Sequence, residues 1–341
     1  MIGIGIIGYG YWGPNLVRNF FETPDCTVVS VSDLSRDRLA KIGPRYPTVE
    51  TTTDYRDLLR DPRVDAVVVA TPVSTHFKLG MEALQAGKHV LIEKPMTCDA
   101  TEAQRLVDEA DLRKRILAVD HTFVYTPAVR KIKDLVTKGD LGDIYYYDSV
   151  RVNLGLFQHD VNVLWDLAVH DLAIMDYVLK DRPVAVSATG LAHVPGRPEN
   201  IAYMTMFFQS SLIAHVHVNW LSPVKVRRTL LGGSRRMVMF DDLEASEKIK
   251  VYDRGISLNP SPENVYQMLI GYRAGDMYAP QLALTEALSV EAAHFVDCVS
   301  RGTAPLTGGE AGLHVVQLLE AASASMADQG RLVSLASSVH T

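Results

Sequence analysis

The chain has 341 residues, of which 47% are hydrophobic and 22% charged, with a formal net charge of -6 at neutral pH. That balance is ordinary for a globular protein, and an acidic excess with no long basic run argues against nucleic acid as a partner. No apolar stretch reaches the roughly 18 residues needed to cross a bilayer, so no membrane role is expected. The three cysteines, Cys26, Cys98 and Cys298, are far apart and form no C-x-x-C pair, a pattern of free thiols in a reducing cytoplasm.

The length accommodates two domains. The N-terminus, MIGIGIIGYGYWG, carries no basic leader or cleavage signal and reads as the opening strand of a fold. Over the first 120 residues, short apolar runs alternate with helical patterns. The runs are 2–8, 27–33, 65–71, 89–94 and 116–120. They are rich in Val and Ile and continuous rather than alternating, as strands buried on both faces of a parallel sheet should be. Helical segments fall near 13–21, 54–60, 74–86 and 100–114. This order predicts right-handed crossovers and a doubly wound α/β sheet. Pro95 ends the fifth strand, because it has no N–H for the ladder and disfavours helix at Lys94.

The second part changes character. Residues 126–139 form an amphipathic pattern closed by Gly139. Alternating strands follow at 143–152, 185–194, 201–208, 212–220, 225–232, 236–241 and 248–253, then helices at about 286–301 and 309–328. This predicts an α+β domain with an open, mostly antiparallel sheet. The boundary is placed at 121, giving a dinucleotide-binding domain over 1–121 and a substrate-binding and oligomerisation domain over 122–341.

Gly8-Tyr9-Gly10-Tyr11-Trp12-Gly13 follows the first strand and opens a helix, a G-x-G-x-x-G in its required setting. Gly8 permits the tight turn, Gly10 admits a pyrophosphate to the backbone, and Gly13 lets helix pack on strand. The helix N-terminus adds N–H groups and partial positive charge. Tyr11 and Trp12 lie within this turn. Asp33, 25 residues after Gly8, ends the second strand. There it can accept from ribose hydroxyls and repel a 2′-phosphate, which favours NAD over NADP, although Arg36 and Arg38 lie just beyond. Thr71 and Pro72, at the end of the central strand, border the expected crevice. His76 stands one turn into the next helix, as a cofactor neighbour or a packing histidine. Glu93 and Lys94 end the fifth strand.

The stretches GYGYWG at 8–13, ATPVSTH at 70–76, AGKHVLIEKPM at 86–96 and WDLAVHD at 165–171 together resemble the glucose–fructose oxidoreductase / inositol dehydrogenase (Gfo/Idh/MocA) family. The resemblance covers most of the chain. It implies a Rossmann domain, a C-terminal α+β domain, and a homodimer or homotetramer built through the C-terminal sheet. It places Lys94, Asp166 and His170 on the family's catalytic positions. It implies hydride transfer between nicotinamide and a ring hydroxyl of a sugar. The segment 151–179 looks closest to members in nucleotide-sugar pathways, which points to a UDP-N-acetylhexosamine or its uronic acid, at C3. An inositol or free monosaccharide dehydrogenase is the alternative, and a catalytically silent NAD-binding sensor is the alternative from another class.

On a regular helix, Asp166, His170 and Tyr177 fall within a stripe about 40° wide, while Ile174 and Val178 face elsewhere. His170 suits a general base, its ordinary pKa lying near 6.5. Asp166 can orient it or hold the substrate, and Asp171 points away as a structural acid. Lys94 can stabilise developing alkoxide charge. His121, Tyr125, Asn153, His159 and Arg227 are further substrate candidates, with Asn162 at the rim. His215, His217 and Asn219 share one strand face, with no third ligand to make the His-x-His pair a metal site.

Overall fold

The computed structural model describes residues 1–155, 161–258 and 270–335. All five apolar runs of the first part form strands: β1 Ile2–Ile7, β2 Cys26–Ser32, β4 Ala66–Val69, β5 His89–Glu93 and β6 Leu117–Asp120. A sixth, β3 Glu50–Thr52, lies at the edge, and all neighbours pair in parallel in the order β3-β2-β1-β4-β5-β6. β3 escaped the sequence reading because its three residues, Glu-Thr-Thr, carry no apolar run. An edge strand needs none, since only one of its sides meets the sheet. The helices α1 Gly13–Glu22, α3 Tyr55–Arg60, α4 His76–Gln85 and α5 Ala100–Arg113 occupy the expected places. The single turn α2 Arg36–Leu39, capped by the Ser35 hydroxyl, was not foreseen.

Two compact units make up the chain. The first is Met1–Thr126 with Thr285–Glu320, and the second is Pro127–Leu284 with Ala321–Thr341. The first therefore includes α8 Ala287–Arg301 and the start of α9 Gly309–Ala327. Phe295 of α8 is buried with Leu16, Val17 and Phe20 of α1, and the two phenyl rings meet edge to face at 6.2 Å. Burying such a ring contributes about 1.5–3 kcal/mol. Gly309 and Gly312 let α9 approach β6, since a Cβ on either would stand 2.8 Å from Leu117 or 2.6 Å from Val119.

The second unit holds α6 Pro127–Thr137, α7 Val169–Val178 and a nine-stranded sheet in the order β16-β13-β12-β11-β7-β10-β9-β8-β17. Its long strands are β7 Ile144–Leu154, β8 Pro183–Leu191, β9 Ile201–Phe208, β10 Ile213–Asn219 and β11 Leu221–Gly233; β12 is Met237–Asp241 and β13 is Ile249–Tyr252. Every neighbouring pair is antiparallel except β10 with β7. The strands alternate as expected: Ala214, Val216 and Val218 are buried, while Ile213, His215, His217 and Asn219 look the other way. The short edge strands β16 Met277–Tyr278 and β17 Val333–Ser334, and the separate hairpin β14 Gly255–Leu258 with β15 Ile270–Arg273, had no readable pattern in the sequence.

Candidate active site

The glycine turn behaves as its spacing predicts. Gly8 has φ +102°, and a Cβ there would stand 2.3 Å from the Ala70 carbonyl oxygen. A Cβ at Gly13 would meet the Gly8 carbonyl oxygen at 2.3 Å. At Gly10 the nearest atom is an Arg38 guanidinium nitrogen at 3.7 Å, so this backbone stays open to an approaching group. Helix α1 begins without a side-chain cap and with Pro at its first turn. Its first N–H groups are thus left for an anion. A pyrophosphate fits this cradle. Tyr11 is exposed and Trp12 half-buried at its edge.

Asp33 is buried at the end of β2. Its Oδ2 accepts from the Tyr9 N–H at 2.7 Å and its Oδ1 from the Ser35 N–H at 2.8 Å. The half-exposed Arg38 reaches to within 3.5 Å of Oδ2. The acid thus braces the glycine turn.

Thr71 and Pro72 form the loop after β4, and the Thr71 hydroxyl pairs with Thr75 at 2.7 Å. His76 is buried, with Nδ1 2.9 Å from the Pro95 carbonyl and Nε2 2.7 Å from the Thr71 carbonyl. Burial pushes the imidazole below its ordinary range, against the opposing pull of the two carbonyls. Its ring sits between the β4 loop and the Glu93-Lys94-Pro95 loop, where the neutral imidazole donates to one of the two carbonyls and only the imidazolium would donate to both.

Lys94 is half-buried at the end of β5, and its N–H donates to the Glu93 carboxylate at 3.2 Å. Glu93 lies opposite Asp120 in the β5–β6 register. Burial, and then the Asp120 charge, push the Glu93 carboxyl well above the usual range. His121 is buried beside Asp120, and burial pushes its pKa down to about 4, so it stays neutral near pH 7. Tyr125 is buried too, its hydroxyl 3.2 Å from that of Thr307 and its ring against His294. These contacts pack Tyr125 into the first unit.

In the second unit, residues Leu164–Ala168 form a π-helical turn that runs into α7. The regular-helix stripe drawn for Asp166, His170 and Tyr177 therefore needs correcting at Asp166, which sits in the wider turn. Such turns recur at functional sites because they re-aim side chains. The Asn162 side chain accepts from the Leu164 N–H at 3.1 Å and so starts the helix. Asp166 and His170 are half-buried, and Asp166 Oδ2 accepts from the Trp220 indole N–H at 3.1 Å. Asp171 is buried and points elsewhere. It pairs with Arg151 of β7 at 2.7 Å and accepts from the Ser149 hydroxyl at 2.7 Å, the structural role expected of it. Tyr177 carries the Lys133 ammonium 5.4 Å from its ring centroid. Asn153 is half-buried near the end of β7, and Arg227 pairs with Asp242 at 3.3 Å. His159 lies outside the described residues. No local pattern marks Trp220, Arg151 or Glu291, whose partners are remote in the chain. His217 stacks on Tyr203 at 4.4 Å, and among the described residues no group of three His, Cys, Asp or Glu side chains is arranged to hold a metal ion.

Residues 2–121 match the family model described as the oxidoreductase family with an NAD-binding Rossmann fold, and residues 129–238 match the GFO/IDH/MocA C-terminal domain. The chain belongs to the GFO/IDH/MocA oxidoreductase family. NAD is accordingly its cofactor, and the glycine turn, the start of α1 and Asp33 are the residues that fit it. A UDP-N-acetylglucosamine 3-dehydrogenase of Acidithiobacillus ferrooxidans is 27% identical over 92% of this chain and 93% of its own. A myo-inositol 2-dehydrogenase of Thermotoga maritima is 24% identical over 96% of each chain. A solved structure of the Acidithiobacillus ferrooxidans 3-dehydrogenase superposes with a TM-score of 0.80 at 27% identity, covering 95% of this chain and 98% of that one. Among the described residues no helix is long and apolar enough to cross a membrane.

Proposed function

We propose that this oxidoreductase moves a hydride between nicotinamide and the carbon of a ring hydroxyl on a nucleotide-linked sugar, a UDP-N-acetylhexosamine or its uronic acid, at C3. The similarity to a UDP-N-acetylglucosamine 3-dehydrogenase over nearly the whole of both chains carries this reading. A myo-inositol 2-dehydrogenase is similar over as much of the chain at slightly lower identity, and it supports inositol or a free monosaccharide as the second candidate. Bound NAD supplies the hydride acceptor. His170 takes the hydroxyl proton, Asp166 orients the imidazole or the substrate, and Lys94 stabilises the alkoxide charge that develops on oxygen. Proton and hydride leave one H–C–O–H unit, so these residues suffice for the acid–base work. The first unit, Met1–Thr126 with Thr285–Glu320, holds the cofactor, and the second binds substrate and assembles copies of the chain, in the cytoplasm.

The test is the absorbance of reduced nicotinamide over UDP-N-acetylhexosamines, their uronic acids, inositols and free sugars. Turnover on a UDP-sugar is expected. Turnover confined to inositols moves the reading to the second candidate, and NAD binding with no turnover on any of them moves it to the sensor. Lys94→Ala and His170→Ala should each lower kcat by on the order of 10²–10⁴ with NAD affinity retained. Normal turnover in both would sink the assignment.

A further inference from the structure

Beneath the strand end that carries Lys94, the first unit gathers three acids from three places in the sequence, Asp120 and Glu291 buried and Glu93 half-buried with its Oε1 enclosed. Glu93 ends β5, Asp120 ends β6, and Glu291 lies in the first turns of α8. Asp120 is 2% exposed and Glu291 1%. Asp120 accepts from the Trp12 indole N–H at 2.9 Å and from the Thr122 hydroxyl, the donors that suit an anion. Glu93 and Glu291 both lie against Asp120. Among the described residues, Glu93 Oε1 and both Glu291 oxygens accept no hydrogen bond, and both ring nitrogens of the buried His121 have no hydrogen-bond partner. An ionised carboxylate can only accept, so two carboxyls packed together need a proton between them. A protonated Glu93 or Glu291 donates to Asp120 and removes the conflict.

We propose that Glu93, Asp120 and Glu291 are a proton-sharing triad, with protons held by Glu93 and Glu291 against Asp120, and that this store responds to the charge of the bound cofactor. The link is structural. Trp12 belongs to the glycine turn that receives the dinucleotide, and its indole bonds Asp120. Glu93 accepts the Lys94 N–H, and the ends of β5 and β6 line the crevice of such sheets. Oxidised NAD brings a cationic ring, and the reduced form a neutral one. A nearby cation favours ionised carboxyls, so binding of the oxidised form should release part of a proton from the triad to solvent, and binding of the reduced form should not. Glu291 is thus a positioning residue that acts on Lys94 through Asp120 and Glu93.

The groups facing the triad are Lys94 on β5; His121, Thr122 and Tyr125 after β6; and Trp12 in the glycine turn. His121 is held neutral by burial and does not compete for these protons at neutral pH. Burial first, and then Asp120, raise both Glu93 and Glu291 well above the carboxylate range. A raised folded pKa gives stability that is complete below the unfolded value and fades as pH rises through the folded one. The protons should therefore survive at neutral pH and leave on the alkaline side.

Two measurements on the full chain test this, and neither needs a substrate. In infrared difference spectra, wild type should keep protonated-carboxyl C=O bands at neutral pH that vanish at alkaline pH. Glu93→Gln and Glu291→Gln should each remove one band. Titration calorimetry in buffers of different ionisation enthalpy should show proton release with oxidised NAD, at least twofold smaller or absent with reduced NAD, and reduced in Glu291→Gln while NAD still binds. No protonated-carboxyl band in wild type at neutral pH overturns the proposal, whether or not the variants fold. Equal proton release with both cofactor forms, or release unchanged in Glu291→Gln, overturns the link to cofactor charge. The proposal rests on the family's NAD binding and on no particular substrate, so a failed sugar assay leaves it standing and its failure leaves the sugar reading untouched.

Discussion

At the scale of single residues, the site depends on side chains whose work is to hold backbone. His76 is the clearest case. The sequence offered it as a cofactor neighbour or a packing histidine, and the structure places both of its nitrogens beside carbonyls of the two loops that follow β4 and β5. Replacing it by Ala leaves a carbonyl that the ring's N–H had paired without its donor, a cost of about 1–3 kcal/mol. His76→Ala should therefore lower the urea midpoint and weaken NAD binding, because the loops lose the ring between them. An unchanged midpoint together with unchanged NAD affinity would show that the ring is dispensable. The three glycines of the turn, by contrast, were legible from spacing alone, because a tight turn, a close approach and a tight helix–strand contact are local demands that any side chain would violate. The partner of Asp166 was not legible. Trp220 is 54 positions away, and an indole at the end of a strand says nothing about which acid it will meet.

At the scale of elements, α7 shows how an apolar helix can carry ionisable groups. It is buried nearly all round, including Leu172, Ala173, Ile174, Met175 and Val178. Each acid or base on it therefore needs a named partner or a wet face. Asp171 has its partner in Arg151 and its second acceptor site filled by Ser149, which pins the helix to β7. Asp171→Ala should cost about 3–5 kcal/mol, because it leaves the Arg151 charge buried without its carboxylate. Chemical denaturation at neutral pH reads this directly. A loss below 1 kcal/mol would mean that solvent reaches the pair. The π turn before α7 lay beyond sequence reasoning. The apolar spacing of Leu164, Ala168 and Leu172 is compatible with a regular helix, and only packing decides where the extra residue goes.

At the scale of the whole molecule, the open face of the second sheet carries Tyr203, Phe207 and Ile213, each between 39% and 45% exposed, with His215 and His217 beside them. Contiguous apolar surface of this kind marks an interaction face, and the proposed assembly of copies through this sheet gives it an occupant. Tyr203→Lys combined with Phe207→Glu should shift the chain to a smaller species in sedimentation, with its far-ultraviolet dichroism unchanged. A mass that stays the same would move any assembly to another surface.

The sequence by itself determined the doubly wound parallel sheet and the glycine turn, because these follow from short-range rules: β-branched runs, crossovers of one hand and glycines at fixed spacing. It also determined which face of each long antiparallel strand is buried, since that alternates residue by residue. Only the tertiary structure decided that α8 returns to the first unit and brings Glu291 to Asp120. It alone decided that Arg151 answers Asp171, and that His76 bridges two loops. These pairings join residues far apart in the chain, and burial settles their protonation. A charge in water needs no partner, whereas a charge inside a fold must find one or lose its ionisation.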